Sequence, residues 1–348
     1  MEIIAIDIGF GFTKATNGSR SLIFKSILGE ATDIQYKGGI LGDGSPDENI
    51  QIEVDGRSFF VGEMAERQSN VRSFTLDHAQ FFSSFAKQLA LSAASRMVSD
   101  YMPVGLVTGL PIGYYREYKD ELVKLLQGDH KVVLTNGTGK REERVIKISK
   151  VKVIPQPLGS LFNLMINDVG DLGDKRYARE KVGIVDVGFK TTDFTVSDKM
   201  RYSERGSRTI DTGISKAFGV IAGKLREKSN VGVELYRLHE AIDRGVIKIR
   251  GKEYDLKGLT EQVFGQLAAT IANEVDRLWT DDWDIDTIVL TGGGGAVLSR
   301  YLQPLINGNV VTVDTSKDAR LCNVQGYLKF GKHLWSRGVV APAEQPAA

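Results

Sequence analysis

The sequence predicts a two-lobed α/β protein with a ligand cleft between the lobes, and three observations carry that expectation. At 348 residues the chain exceeds the size at which a single core usually stops growing. An apolar strand that ends in a carboxylate and a glycine turn occurs twice, as IIAIDIGFGFTKA from residue 3 and VGIVDVGFKTTDFTV from residue 182, about half the chain apart. A later strand, DTIVLTGGGGAVL, runs into the glycines at 292–295 ahead of a helix. Burying an unpaired carboxylate is costly, so Asp7 and Asp186 each need a partner or a ligand. Two matching turns facing one crevice would satisfy both with the same ligand.

Taken in order, residues 2–8, 12–17 and 20–27 read as consecutive strands, with Asn17-Gly18 as a hairpin turn. The polar stretch GGILGDGSPDEN, 38–49, is expected as an exposed loop. IQIEVDG and SFFVG are short strands turning at Asp55-Gly56, a small subdomain set on the sheet. From Ala79 to about Asp100, apolar residues at helical spacing (Phe82, Phe85, Ala86, Leu89, Met97) predict a packed helix. VGLVTGLP is a strand stopped by Pro111, and YREYKDELVKLLQG a helix closed by Gly128. Strands at about 130–135 and 144–154 lead to Gln156, at the mouth of a helix whose first turn holds Pro157. That proline should push Gln156 towards an extended backbone. The charged run GDKRYAREK, 173–181, is the expected surface crossing between lobes. The second half adds the amphipathic SKAFGVIAGKLREK, a hairpin turning at Gly251, a helix at about 260–279 and a last helix from Cys322. The tail GVVAPAEQPAA is expected to be disordered.

Composition narrows the function. The chain is 42% apolar and 26% charged, with 45 Lys and Arg against 44 Asp and Glu, a net charge of +1. That balance gives no general electrostatic reason to bind nucleic acid or an anionic membrane directly. The single cysteine, Cys322, excludes an internal disulfide and a cysteine-based zinc site. No apolar run approaches the ~20 residues of a membrane-spanning helix, and Glu2 stands where a secretory signal carries basic residues, so the expected location is cytoplasmic. The histidines (His78, His130, His239, His333) are scattered, and nothing marks them as ligands.

Two facing turns rich in backbone N–H and hydroxyl donors, Thr13 in one and Thr191 and Thr192 in the other, form an anion clamp suited to a polyphosphate. Asp7 and Asp186 supply the hard oxygens that Mg²⁺ prefers, Lys14 neutralises phosphate charge, and Gln156 can orient a water without accepting its proton. Nucleoside triphosphate hydrolysis is the chemistry these residues favour.

The pattern Asp-x-Gly-x-Gly-x-x-Lys at 7–14, Gln156 opening a helix, Asp-x-Gly-x-x-Thr-Thr-Asp at 186–193, Gly-Gly-Gly at 292–294 and Asn-x-x-Gly at 323–326 resemble, in their usual order, the nucleotide-site signatures of the actin, Hsp70 and sugar-kinase superfamily. VTGLPIGYY and VDGRSFFVG make the ParM-like bacterial and archaeal actins the most similar branch, over residues 1 to about 336. The resemblance implies an actin-like fold, a duplicated ribonuclease H-like unit with mixed central sheets in two lobes around a nucleotide cleft. The first lobe is expected at 1–157, with a small subdomain at about 28–75, rejoined by a helix at about 320–336; the second at 158–319, with a small subdomain at about 216–260.

Carried over by position, the resemblance implies that Asp7 and Asp186 hold Mg²⁺ through water and that Gln156 places the attacking water. Gly9, Gly11, Phe12, Thr13 and Lys14 form the first phosphate loop, and Gly188, Lys190, Thr191 and Thr192 the second. Gly292, Gly293 and Gly294, with Gly295 in the same run, flank the adenosine of ATP (or the guanosine of GTP), and Lys216 or Lys224 are candidates for ribose and base contacts. Lys190 stands where relatives often have a small residue, and Phe10 replaces a hydroxyl that conventional actins place against the γ-phosphate. The implied activity is that of a polymerising ATPase whose partners are its own copies and a DNA-binding adaptor for plasmid segregation. The alternatives are a small-molecule kinase of the same superfamily and a non-polymerising nucleotide-binding scaffold. Each residue also has a plainer role: Asp7 as a strand-end turn former, Gln156 as a helix cap, the glycines at 292–295 as a flexible loop, and Asp193 as a cap or partner within its hairpin.

Overall fold

A computed structural model describes residues 1–32, 47–136, 139–312 and 318–336. Most of the expected loop at 38–49 and the tail at 337–348 lie outside the described residues.

The repeat seen in the sequence is a repeat of topology. In the first lobe Glu2–Ile8 pairs antiparallel with Phe12–Thr16, which pairs antiparallel with Ser21–Lys25. On its other side Glu2–Ile8 runs parallel to Pro103–Leu110, and that strand parallel to Arg141–Pro155. The second lobe repeats the order and every strand sense: Lys181–Val187, Thr192–Asp198 and Arg201–Ile210 on one side, Thr287–Thr291 and Val310–Thr312 on the other. Ile4, Ala5 and Ile6 are all buried, as are Ile184, Val185 and Asp186. A central parallel strand is covered on both faces, and these runs are accordingly continuous rather than alternating.

The first sheet is larger than the second. Gly128–Thr135 pairs antiparallel with Arg141–Pro155 and then with Ile50–Val54, so the short strands expected as a small subdomain set on the sheet continue it to ten strands. The second lobe adds the helices Ile214–Ser229 and Leu238–Arg244 and the separate hairpin Val246–Ile249 with Lys252–Asp255.

Each lobe has its own apolar core, and a third core lies between them. Ala5, Val107 and Ile154 from the first sheet and Val182, Ile184 and Val289 from the second close on two helices, Pro157–Met165 and Cys322–Ser336. These helices touch backbone to backbone. A Cβ on Gly326 would overlap the Gly159 carbonyl oxygen, and one on Gly159 would sit 2.8 Å from the Asn323 oxygen and against the Tyr327 ring. Gly326→Ala is therefore expected to destabilise the protein by about 2–3 kcal/mol through overpacking, read as a lower urea midpoint. A parent-like midpoint would contradict the close contact.

The helix expected from 79 to about 100 is broken. His78–Gln80 starts it, capped by the Asp77 carboxylate, which accepts from Gln80 N–H at 2.8 Å. Phe81–Phe85 then forms a π-type turn with non-helical backbone at Phe82 and Ser83, and only Ala86–Ala94 is regular. Aromatic rings gather at the break, where Phe81 packs on Phe10 at 4.2 Å and edge-on to Phe82, and Ser83 Oγ donates to the Gln80 carbonyl at 2.5 Å. Tyr177, inside the charged run 173–181, is buried.

Candidate functional site

The C-terminal ends of five parallel strands from the two sheets border one cleft of about 400 Å³, lined among others by Asp7, Pro111, Gln156, Asp186 and Gly292. Strand ends are where open α/β sheets bind ligands. The two turns that follow Asp7 and Asp186 close identically. Gly9 N–H donates to the Phe12 carbonyl at 3.1 Å, and Gly188 N–H to the Thr191 carbonyl at 2.8 Å. A Cβ on Gly9 would lie 2.8 Å from that Phe12 oxygen, so the turn requires a residue without one. Gly292, at φ 85°, lets its strand end pass against the Asp186 carboxylate.

Each buried carboxylate is held by an amide at the start of an interlobe helix. Gln156 Nε2 donates to Asp7 Oδ1 at 2.9 Å, and Lys14 Nζ to Oδ2 at 2.8 Å. Asn323 Nδ2 donates to Asp186 Oδ2 at 2.7 Å, while Asn323 Oδ1 accepts from Ser160 Oγ at 2.6 Å. Burial pushes the Asp186 carboxyl up to about 6, with Asp7 adding to the rise and Asn323 and Lys14 opposing it. The pair is thus a partly compensated centre of negative charge.

Gln156 has helical backbone, φ −51° and ψ −47°, not the extended conformation expected before Pro157. Its carbonyl accepts from Gly159 N–H at 3.0 Å and from the Tyr327 hydroxyl at 3.3 Å, and these bonds hold it against the proline's preference.

Of the first-turn residues expected at the site, Gly9, Gly11, Phe12 and Lys14 line the cleft; of the second, Gly188, Lys190 and Thr191 do. Gly292, Gly293 and Gly294 do as well. Thr13, Thr192 and Gly295 do not. Side chains alternate along a strand, so when Lys14 and Asp193 face the cleft, Thr13 and Thr192 face away. Thr13 Oγ1 bonds Ser26 Oγ at 2.9 Å and Thr192 Oγ1 donates to the Thr212 carbonyl at 2.6 Å. Gly295 is inside the helix Gly293–Leu302, next to Leu290. Lys216 and Lys224 also lie outside the lining, which takes Ile214 and Phe218 from their helix instead.

The structure adds His239 and Arg320 to the lining, neither with a signal in the sequence. The His239 ring packs on Phe12, Phe189 and Phe218 with centroids 4.7, 5.2 and 4.8 Å away, and burial lowers its pKa to about 3, so it is neutral. Arg320, paired with Asp318, lies over the Phe12 ring at 4.9 Å. Asp193 reaches into the other lobe. Its Oδ1 accepts from Ile112 N–H at 2.9 Å, the first residue of the helix Ile112–Leu126, and from Thr209 Oγ1; Thr209 Oγ1 in turn accepts from Gly113 N–H at 2.7 Å. A carboxylate at a helix N-terminus satisfies an orphan donor and the helix dipole together. Burial nevertheless pushes Asp193 up to about 7. At the far rim Lys25 Nζ lies 2.9 Å from Glu66 and 3.3 Å from Glu240 of the second lobe.

Residues 5–159 match the family model for the actin-like proteins' N-terminal domain, and residues 184–304 that for the C-terminal part of the archaeal MreB-like actin homologue. A non-polymerisable quadruple mutant of pCBH ParM is 27% identical over 95% of this chain and 98% of its own, with a TM-score of 0.78. The chain is a ParM-like actin homologue. A 15-stranded ParM filament from Clostridium botulinum gives 27% identity over the same shares, 95% and 98%, and a TM-score of 0.79. Ta0583, an archaeal actin homologue solved in complex with ADP, shares the actin-like fold at 18% identity, covering 94% of this chain and 98% of that one, with a TM-score of 0.76. No curated protein matches this ParM-like chain by sequence.

Proposed function

We propose that this actin homologue is a nucleoside triphosphatase that binds Mg-ATP, or Mg-GTP, between its lobes and assembles into filaments. The observation that carries the reading is the duplicated turn: two buried carboxylates at equivalent strand ends line one cleft, each steadied by an amide from an interlobe helix. The lobes are taken as 1–157 with about 320–336, and 158–319. The proposed setting is the cytoplasm, with plasmid or other DNA cargo reached through an adaptor. The near-neutral net charge of +1 supports indirect rather than direct DNA contact. Among the described residues no helix is long and apolar enough to cross a membrane.

The donor set suits Mg²⁺. Among the described residues no group of three or more His, Cys, Asp or Glu could hold a metal by itself. Mg²⁺ in nucleotide sites leans on one or two carboxylates and completes its shell with water and phosphate oxygens. Asp7 and Asp186 fit that pattern, and the raised Asp186 carboxyl is the group a cation would relieve. The metal would neutralise phosphate charge, and the chain's own residues do the rest: Lys14 sets the charge on the first turn, and the amide of Gln156 orients a water.

Gln156→Ala is expected to lower the phosphate-release rate about 10- to 100-fold with KM changed little, because positioning rather than binding is lost. Release as fast as the parent's would favour the non-hydrolysing scaffold. The kinase alternative needs a free carboxylate base; of the further aspartates lining the cleft, Asp193 is engaged by Ile112, Thr209 and Thr191 and Asp318 by Arg320, which leaves Asp243 as that reading's candidate. Sedimentation and light scattering with ATP against ADP test assembly. Nucleotide-dependent pelleting is the expected outcome, and a monomer at high concentration with a non-hydrolysable analogue would overturn it.

A further inference from the structure

Among the described residues three cations line the cleft, and one of them has only a long ion pair. Lys14 lies 2.8 Å from Asp7, and Arg320 is held by both Asp318 oxygens at 2.9 and 3.1 Å through Nε. Lys190 Nζ comes no nearer than 3.8 Å to Asp211, a carboxylate that is itself 54% exposed, although the lysine side chain is only 14% exposed. It also lies over the Phe10 ring, whose centroid is 5.4 Å away. Burial lowers the Lys190 pKa, with Asp211 and Asp77 only partly offsetting it. An ammonium withdrawn from water and given a long ion pair and a ring face is under-compensated.

Its place explains what could complete it. Lys190 belongs to the second turn, and Phe10 to the first, between Gly9 and Gly11; the ammonium therefore bridges the two turns across the lobes. Phe10 is fixed by Phe81 at 4.2 Å and His78 at 5.0 Å, so the ring cannot follow the lysine if it moves. Asp211 has other donors to keep, His78 Nε2 at 3.3 Å and the Tyr114 hydroxyl at 3.4 Å. The resting partners of Lys190 are thus weak, and one of them is already shared.

We propose that Lys190 is the residue that distinguishes a nucleoside triphosphate from a diphosphate, leaving Asp211 to contact the terminal phosphate between the two turns. The first turn offers Phe10, which has no hydrogen-bond donor in its side chain, so this discrimination passes to the second lobe. The inference rests on the cleft being the nucleotide site.

Equilibrium binding of ATP and ADP, each with Mg²⁺, to the parent, Lys190→Met, Lys190→Arg and Asp211→Asn tests it. Lys190→Met is expected to weaken ATP at least 10-fold and ADP less than 3-fold, and Lys190→Arg to keep most of the parent's preference. Asp211→Asn, which removes the competing carboxylate, is expected to tighten ATP severalfold and leave ADP unchanged. An unchanged ATP-to-ADP ratio in Lys190→Met, an equal loss of both nucleotides, or weaker ATP binding in Asp211→Asn would overturn the role of Lys190 alone. A parent that binds neither nucleotide would overturn the cleft reading and this inference with it.

Discussion

Asp186→Asn is expected to cost about 100-fold or more in Mg²⁺-dependent phosphate release while the protein folds at least as stably as the parent. The substitution keeps the shape and the carbonyl that accepts from Asn323 Nδ2. It removes the charge that the site needs and the interior resists, since burial has already pushed this carboxyl up to about 6. A group kept for structure shows the opposite trade, with stability falling and turnover little changed. Phosphate release at saturating Mg²⁺ and thermal melting at pH 8, measured on the same preparation, separate the cases. Parent-like turnover would contradict the assignment of Asp186 to the metal.

Asp193→Asn is expected to make the protein increasingly more stable than the parent as the pH rises from about 4 to about 7. The Asp193 carboxyl ordinarily titrates at 3.8 and is pushed up to about 7 in the fold, so the folded chain binds this proton more tightly than the unfolded one. Below the ordinary value both states are protonated and the group costs nothing. Above it the unfolded state ionises first and stability falls, until the folded carboxyl also ionises near 7 and the cost levels off. For a fully buried group the cost is on the order of 2–4 kcal/mol. Asparagine escapes it and keeps an oxygen for the Ile112 N–H, while its amide can donate to Thr191 Oγ1, since a hydroxyl also accepts. Urea unfolding of parent and variant at pH 4.5 and pH 8 measures the effect. A stability difference that is constant with pH, or that shrinks as pH rises, would contradict it.

The parts of the fold legible in the sequence were those carried by local pattern. The runs ending at Asp7 and Asp186 are continuous because their strands are buried on both faces, and their identical turns follow from glycine at 9 and 188. The last glycine run reads as lining a ligand, and Gly292 to Gly294 do border the cleft, but Gly295, further into the helix Gly293–Leu302, faces Leu290 instead. Residue type alone makes Thr13 and Thr192 candidate donors; the alternation along their strands, with Lys14 and Asp193 facing the cleft, sends both hydroxyls into the protein.

What stayed hidden depends on residues far apart in the chain. Nothing near Asp193 says that Ile112, in the other lobe, supplies its donor, and nothing near His239 places it among Phe12, Phe189 and Phe218. Gly159 and Gly326 lie within helices, where glycine ordinarily weakens the structure; only the meeting of the two helices gives it a reason. The kink at Phe82 and Ser83 likewise sits against Phe10, a contact between residues far apart in the chain.

The account stands on one divalent cation and one triphosphate shared by the two turns. Crystals grown with Mn²⁺ and a non-hydrolysable ATP analogue test this through the anomalous signal of the metal. The predicted result is a single strong peak between the carboxylates of Asp7 and Asp186, with phosphates against the backbone of Gly9–Phe12 and Gly188–Thr191. A peak elsewhere, or an analogue bound outside the cleft, would contradict it.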